Sequence, residues 1–172
     1  MQMTARESED LAFTILWSPL PPITWLIPFI GHLGIATSEG TACDFQGSYY
    51  VSDRGRMAFG EPTRALTINI EELPGGAEQW DGMIREANAM YNTRVHNLVT
   101  DNCHSHVAYA LNKMQLRMPV PFSFLSLSWN MVNLCFLVFF QARFLSFGGF
   151  VKQFAPFCIL VCLFILPSRI LR

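Results

Sequence analysis

Two stretches near the C-terminus, Leu125 to Phe140 and Phe154 to Leu166, contain no charged residue. Such a segment must be buried in protein or in lipid, and it narrows the available folds more than any other feature. With flanking positions each stretch reaches roughly 16–18 residues, or about 25 Å of helix at 1.5 Å per residue. A hydrocarbon core is about 30 Å thick, slightly thinner in early secretory membranes. The pair therefore reads as a short helical hairpin in a membrane, with Gly148-Gly149 as its turn. Ser128, Asn130 and Asn133 weaken the first helix, and Pro156 starts the second one late. The alternative is a buried hairpin of a soluble protein. Composition leans the same way as the membrane reading: 51% of residues are hydrophobic and 15% charged, against roughly 25% charged in soluble domains.

Charge and cysteine content remove other classes. Lys and Arg number 12 against 13 Asp and Glu, a net charge of -1. No basic surplus is present to hold a nucleic-acid backbone. Fifteen Phe argue against disorder. Five Cys, an odd count, indicate reduced thiols and a cytosolic-facing domain. Residues 1–10 are polar, and the apolar run from Leu11 to Trp17 stops at Ser18-Pro19. A signal peptide is not expected from that pattern.

Leu11 to Ile35 is apolar but is cut by Pro19, Pro21, Pro22 and Pro28. Prolines at that spacing break a helix, so two buried strands are expected, about 12–17 and 29–37. Trp25-Leu26-Ile27 between them suits a bilayer surface. Leu66, Ile68 and Ile70 alternate with polar residues as a half-buried strand does. Ala77, Trp80, Ile84, Ala87 and Tyr91 recur at helical steps, turning Glu78, Asp81, Arg85 and Asn88 outward. A second helix follows Asp101-Asn102 and must stop before Pro119.

The start of that second helix carries the chemistry. Cys103 falls in its first turn, behind a capping Asp101 or Asn102. Free backbone N–H groups and the positive helix end lower a thiol's pKa there and can donate to an oxyanion. His32, in the apolar Gly31-His32-Leu33-Gly34-Ile35 strand, is the candidate base. Asp44 is the candidate orienting group, placed by the hairpin register. Thr37-Ser38-Glu39-Gly40-Thr41 fits a three-residue loop ending in a left-handed Gly. Thr37 then faces Thr41 and Gly34 faces Asp44, which brings Asp44 diagonally near His32. A two-residue Glu39-Gly40 turn would send Asp44 to the other face, leaving Gln46 or His96 as orienting groups. A metal reading uses Cys103 and His106 at i and i+3, with His104, His32, His96 or Cys43 as further ligands. No cofactor is called for. Cys158 and Cys162 share one face of an apolar helix, where packing is expected.

The segments WSPLPPITWLIPFIGHLGIATSEG, DFQGSYYVS, MAFG, HNLVTDNCHSHVAYALN and SWNMVNLCF resemble one eukaryotic family. It comprises the animal transmembrane protein 222 and the plant Reversion to Ethylene Sensitivity proteins, and the likeness extends over about 11–172. The resemblance implies an integral membrane protein of the Golgi and endoplasmic reticulum, with an ethylene receptor as partner in plants. More distantly, GHLGI followed by a helix beginning Asn-Cys is similar to the circularly permuted papain-like fold of lecithin:retinol acyltransferase. That similarity implies Cys103 as nucleophile, His32 as base and Asp44 as third polar residue. His106 stands where an aromatic is usual, and Asp44 where a second His is frequent.

The expected architecture is an α+β permuted papain-like domain over 11–118 and a membrane-anchoring helical hairpin over 119–172. Two functions from different classes fit it: a thiol acyltransferase or hydrolase working at membrane lipids, or a non-catalytic membrane regulator of a receptor. Lys113, Arg117, Arg169 and Arg172 flank the hairpin, with only Arg143 and Lys152 in its loop. A multi-pass protein with its domain and C-terminus in the cytosol is therefore expected.

Overall fold

The structure, a computed structural model, describes residues 10–119 and 128–170, with side chains to 164. Its centre is an antiparallel six-stranded sheet in the order β4-β3-β2-β1-β5-β6. The strands are β1 (Thr14–Pro19), β2 (Gly31–Ala36), β3 (Ala42–Gly47), β4 (Tyr50–Ser52), β5 (Arg64–Thr67) and β6 (Arg143–Phe144). β1 and β2 are the two apolar strands expected on either side of the prolines. The proline-rich connector between them folds into a single helical turn, α1 (Ile23–Leu26).

Two helices cover one face of the sheet, α2 (Gly76–Tyr91) and α3 (Cys103–Lys113). Ile15, Trp17, Leu33 and Ile35 on that face meet Trp80, Ile84 and Ala87 of α2 and Val107, Ala110 and Leu111 of α3. Period-two burial on the strands thus interlocks with the three-four spacing of the helices, as the sequence pattern requires. Asn88, expected to face outward, instead accepts a hydrogen bond from His106 at 2.8 Å and ties α2 to α3.

The β2–β3 hairpin has the three-residue loop. Thr37 N–H donates to Thr41 O at 2.9 Å, Gly40 has φ of 78°, and the ladder runs Ala36↔Ala42 and Ile35↔Cys43. Extending the register places Gly34 opposite Asp44. Gly34 suits this close approach: a Cβ would lie 3.0 Å from Cys43 O and 3.3 Å from the Asp44 Cβ, so a side chain there would crowd the partner strand.

The C-terminal third departs from a membrane hairpin. Helix α4 (Met131–Gln141) has 11 residues, about 16 Å, too short to cross a bilayer. Its Leu134, Leu137 and Val138 are buried in the same core as the sheet and α3. Residues 120–127, where the first span was expected to begin, lie outside the described residues. The reason α4 belongs to the domain sits far away in sequence. Arg64 of β5 donates to Ala142 O at 2.8 Å and to Phe139 O at 2.7 Å. Its guanidinium also lies 4.6 Å from the Phe144 ring centre. An arginine thus satisfies the carbonyls at the end of α4, where a cation suits the helix dipole. The turn to the next helix is made by β6 and not by Gly148-Gly149, which fall in the first turn of α5 (Phe147–Ile170).

Helix α5 runs through Pro156 without a break for 24 residues, about 36 Å. Among the described residues it is the one helix long and apolar enough to cross a membrane. Phe147, Ile159, Leu163 and Phe164 are 58–82% exposed on it, an apolar surface that water does not tolerate at this extent. One candidate span replaces the expected two. Arg172 lies outside the described residues.

Candidate active site

The first turn of α3 is built by Asn102. Its side-chain oxygen accepts from the N–H groups of His104 at 2.9 Å and Ser105 at 3.2 Å. Ser105 Oγ returns the bond, accepting from Asn102 N–H at 2.7 Å. This reciprocal cap fixes where the helix begins and puts Cys103 at its first position. Asp101, the other capping candidate, is paired with Arg94 at 2.6 Å. Among the described residues the Cys103 N–H has no acceptor.

His32 and Asp44 meet where the β2–β3 ladder has opened. His32 Nε2 donates to Asp44 Oδ2 at 2.6 Å, with both side chains buried. Asp44 also accepts from Ala58 N–H at 2.9 Å and from Gln46 Nε2 at 3.0 Å. Gln46, the reserve orienting group, therefore positions Asp44 and not the imidazole. His96, the other reserve, has its ring 5.5 Å from that of Phe45.

Two imidazoles act on the Cys103 sulfur. Burial pushes the thiol up, but His104 and then His32 bring it well below the ordinary thiol value. The short contact is with His104, whose Nδ1 lies 3.4 Å from Sγ. Burial works against charge on the His32 ring, yet Asp44 at 2.6 Å and the nearby Cys103 raise it to about 9. His104 is likewise opposed by burial and raised to about 10 by the Cys103 charge and by hydrogen bonds to Cys103 and Cys135. With Nε2 of His32 committed to Asp44, Nδ1 is the nitrogen available to the sulfur. A thiolate–imidazolium arrangement is the ground state these contacts favour.

The other predicted ligands are elsewhere. His106 does not share a site with Cys103; its Nε2 meets Asn88 and its ring packs on Tyr91. Burial drives its pKa down to about 4, so it is a neutral core histidine. Cys43 is buried on β3, and burial pushes its thiol to about 11. Among the described residues no three His, Cys, Asp or Glu side chains gather to hold a metal. The sequence pattern missed His104 as a partner of the thiolate, because adjacent residues on a helix do not ordinarily face each other.

The sulfur borders a cavity of about 530 Å³. His32, His104, Asn102 and Gln46 supply polar edges, while apolar side chains, among them Leu20, Ile23, Phe29, Phe45, Val132 and Phe136, make most of the wall. This is the size and character of a small-molecule site, apolar with a few convergent polar groups. Ile23 and Phe29 come from the β1–β2 connector, and α1 within it packs against α5. The cavity wall and the membrane-length helix are thus neighbours.

Comparison with known proteins adds a family. The RTE1-like family model matches residues 6–75 and 70–142. The Arabidopsis thaliana protein Reversion-to-Ethylene Sensitivity1 is 30% identical over 168 residues, covering 87% of this chain and 64% of that protein. The chain therefore spans just under two thirds of this relative's length. No solved structure matches.

Proposed function

This chain belongs to the RTE1-like family, and with that as premise we propose that it is a membrane-anchored thiol acyltransferase or hydrolase. One observation carries the reading. A cysteine at a capped helix start, with its thiol pKa depressed, opens onto an apolar cavity beside a His32–Asp44 pair. Each part is what acyl transfer needs: a nucleophile, a base with an orienting carboxylate, and a place for an acyl chain. The same grouping of helix-start Cys, strand His and strand Asp supports a permuted papain-like reading of the fold.

The chemistry balances with this chain's own groups and a lipid ester. The Cys103 thiolate attacks the acyl carbonyl carbon and a C–S bond forms. The oxyanion accepts from the Cys103 N–H. Collapse breaks the ester C–O bond, and the leaving oxygen takes a proton from an imidazolium. Water or an alcohol then loses its proton to an imidazole and attacks the thioester, and the C–S bond breaks to restore the thiolate. The apolar cavity beside α1 and α5 favours an acyl group drawn from a membrane lipid. Following the family resemblance, the proposed compartments are the Golgi and endoplasmic reticulum.

A second reading rests on the relative's name, which refers to ethylene sensitivity. On it the protein is a membrane regulator of a receptor, and the cavity is a binding site without turnover. Intact-mass analysis of detergent-purified protein with a p-nitrophenyl acyl ester separates the two. The expected result is one acyl adduct on Cys103, absent in Cys103→Ser. Iodoacetamide should also label Cys103 before Cys43 below neutral pH. No adduct, with Cys103 labelling no faster than Cys43, overturns the enzyme reading in favour of the regulator.

A further inference from the structure

Cys103 has two imidazole neighbours, while one suffices for a cysteine nucleophile. They are held differently. His32 is locked to Asp44 at 2.6 Å, and Asp44 is itself fixed by Ala58 N–H and Gln46. His104 is 7% exposed, touches Sγ through Nδ1 at 3.4 Å, and borders the cavity. The titratable groups facing it are Cys103 beside it, Cys135 from α4, and His32 from β2 across the sulfur. Among the described residues no carboxylate is bonded to its ring.

We propose that His104 is a second catalytic imidazole, which holds the Cys103 thiolate at rest and protonates the leaving group, while His32 with Asp44 deprotonates the acceptor. The proposal rests on the acyl-transfer reading for its second half alone. Its physical basis is the difference in partners. The proton on His104 is held against burial chiefly by the negative sulfur. When the sulfur becomes a thioester that charge disappears, and a buried imidazolium without a carboxylate becomes a strong acid. It is then poised beside the departing oxygen. His32 keeps Asp44 throughout, so it stays the better place to receive the acceptor's proton. Thioester formation also takes the negative sulfur away from His32, which sheds its proton to solvent and then accepts the acceptor's; when the thiolate returns, His104 regains a proton from solvent and the resting charges are restored.

Two measurements on full-length protein in detergent test this. The first is the pH profile of Cys103 alkylation by iodoacetamide. His104→Asn should move its midpoint upward by at least one unit, a roughly tenfold loss of thiolate at low pH, although His32 and Asp44 remain. An unmoved profile overturns the thiolate-holding role, whatever the fate of acyl transfer. The second compares acylation by a p-nitrophenyl ester, whose leaving group needs no proton, with an alkyl ester, whose leaving group does. His104→Asn should slow the alkyl ester at least tenfold more than the p-nitrophenyl ester, and His32→Ala should slow thioester breakdown. Equal losses with both esters overturn proton delivery by His104. Failure of the unaltered protein to acylate with either ester overturns the acyl-transfer reading and proton delivery with it. Thermal unfolding of His104→Asn matching the parent keeps these effects apart from misfolding. If it unfolds early, His104→Gln replaces it in both measurements.

Discussion

Asp44 accepts from a ring N–H, a backbone N–H and a side-chain amide at once. Only a carboxylate has the lone pairs and the charge to satisfy all three in so buried a place. Asp44→Asn keeps the volume but turns one acceptor oxygen into a donor, which must then face one of those three N–H groups. His32 should swing or change tautomer, and the acylation rate should fall by about 10²–10⁴, the range that positioned acid–base groups contribute. Cys103 acylation followed by intact mass, with circular dichroism to check the fold, makes the comparison. An unchanged rate would mean that Asp44 does not orient His32 for the reaction.

Among the elements, α3 serves two purposes, offering Cys103 at its start and locking onto α2 through His106. Its buried imidazole has a pKa near 4, against 6.5 in an unfolded chain. The unfolded state thus binds the proton first, so stability is full above pH 6.5 and is lost as pH falls toward 4. That difference is worth up to about 3 kcal/mol. His106→Asn should flatten the fall in melting temperature between pH 7 and pH 4.5, measured by differential scanning fluorimetry. A slope equal to that of the parent would mean that other groups govern acid sensitivity. The elements also show what could be read beforehand. The β2–β3 register was legible because turn chemistry fixes it locally, through Gly40 at positive φ and Thr37 facing Thr41. The start of α3 was legible because capping is local too. The fate of α4 was not, because an uncharged helix looks alike in lipid and in a protein core. What decides it is Arg64, some 75–78 residues away. His104 was hidden for a related reason: its approach to Sγ comes from side-chain geometry in a first turn, which helical periodicity does not describe.

At the scale of the molecule, one membrane-length helix among the described residues bears on the topology that charge counting suggested. With two spans, the domain and the chain beyond α5 share one side. With α5 alone they lie on opposite sides. Glycosylation acceptor tags placed before residue 10 and after residue 172 read this directly: one tag should be modified and the other not. Equal treatment of the two tags would restore an even number of crossings. Gln153, near the start of α5, is 0% exposed and donates to Pro28 O at 2.6 Å. Pro28 adjoins Phe29, which forms part of the cavity wall. Helices longer than their bilayer tilt to fit it, and the tilt grows as the bilayer thins. If α5 spans a bilayer, a change in its tilt is passed through the Gln153–Pro28 bond to the residue beside Phe29 of the cavity wall.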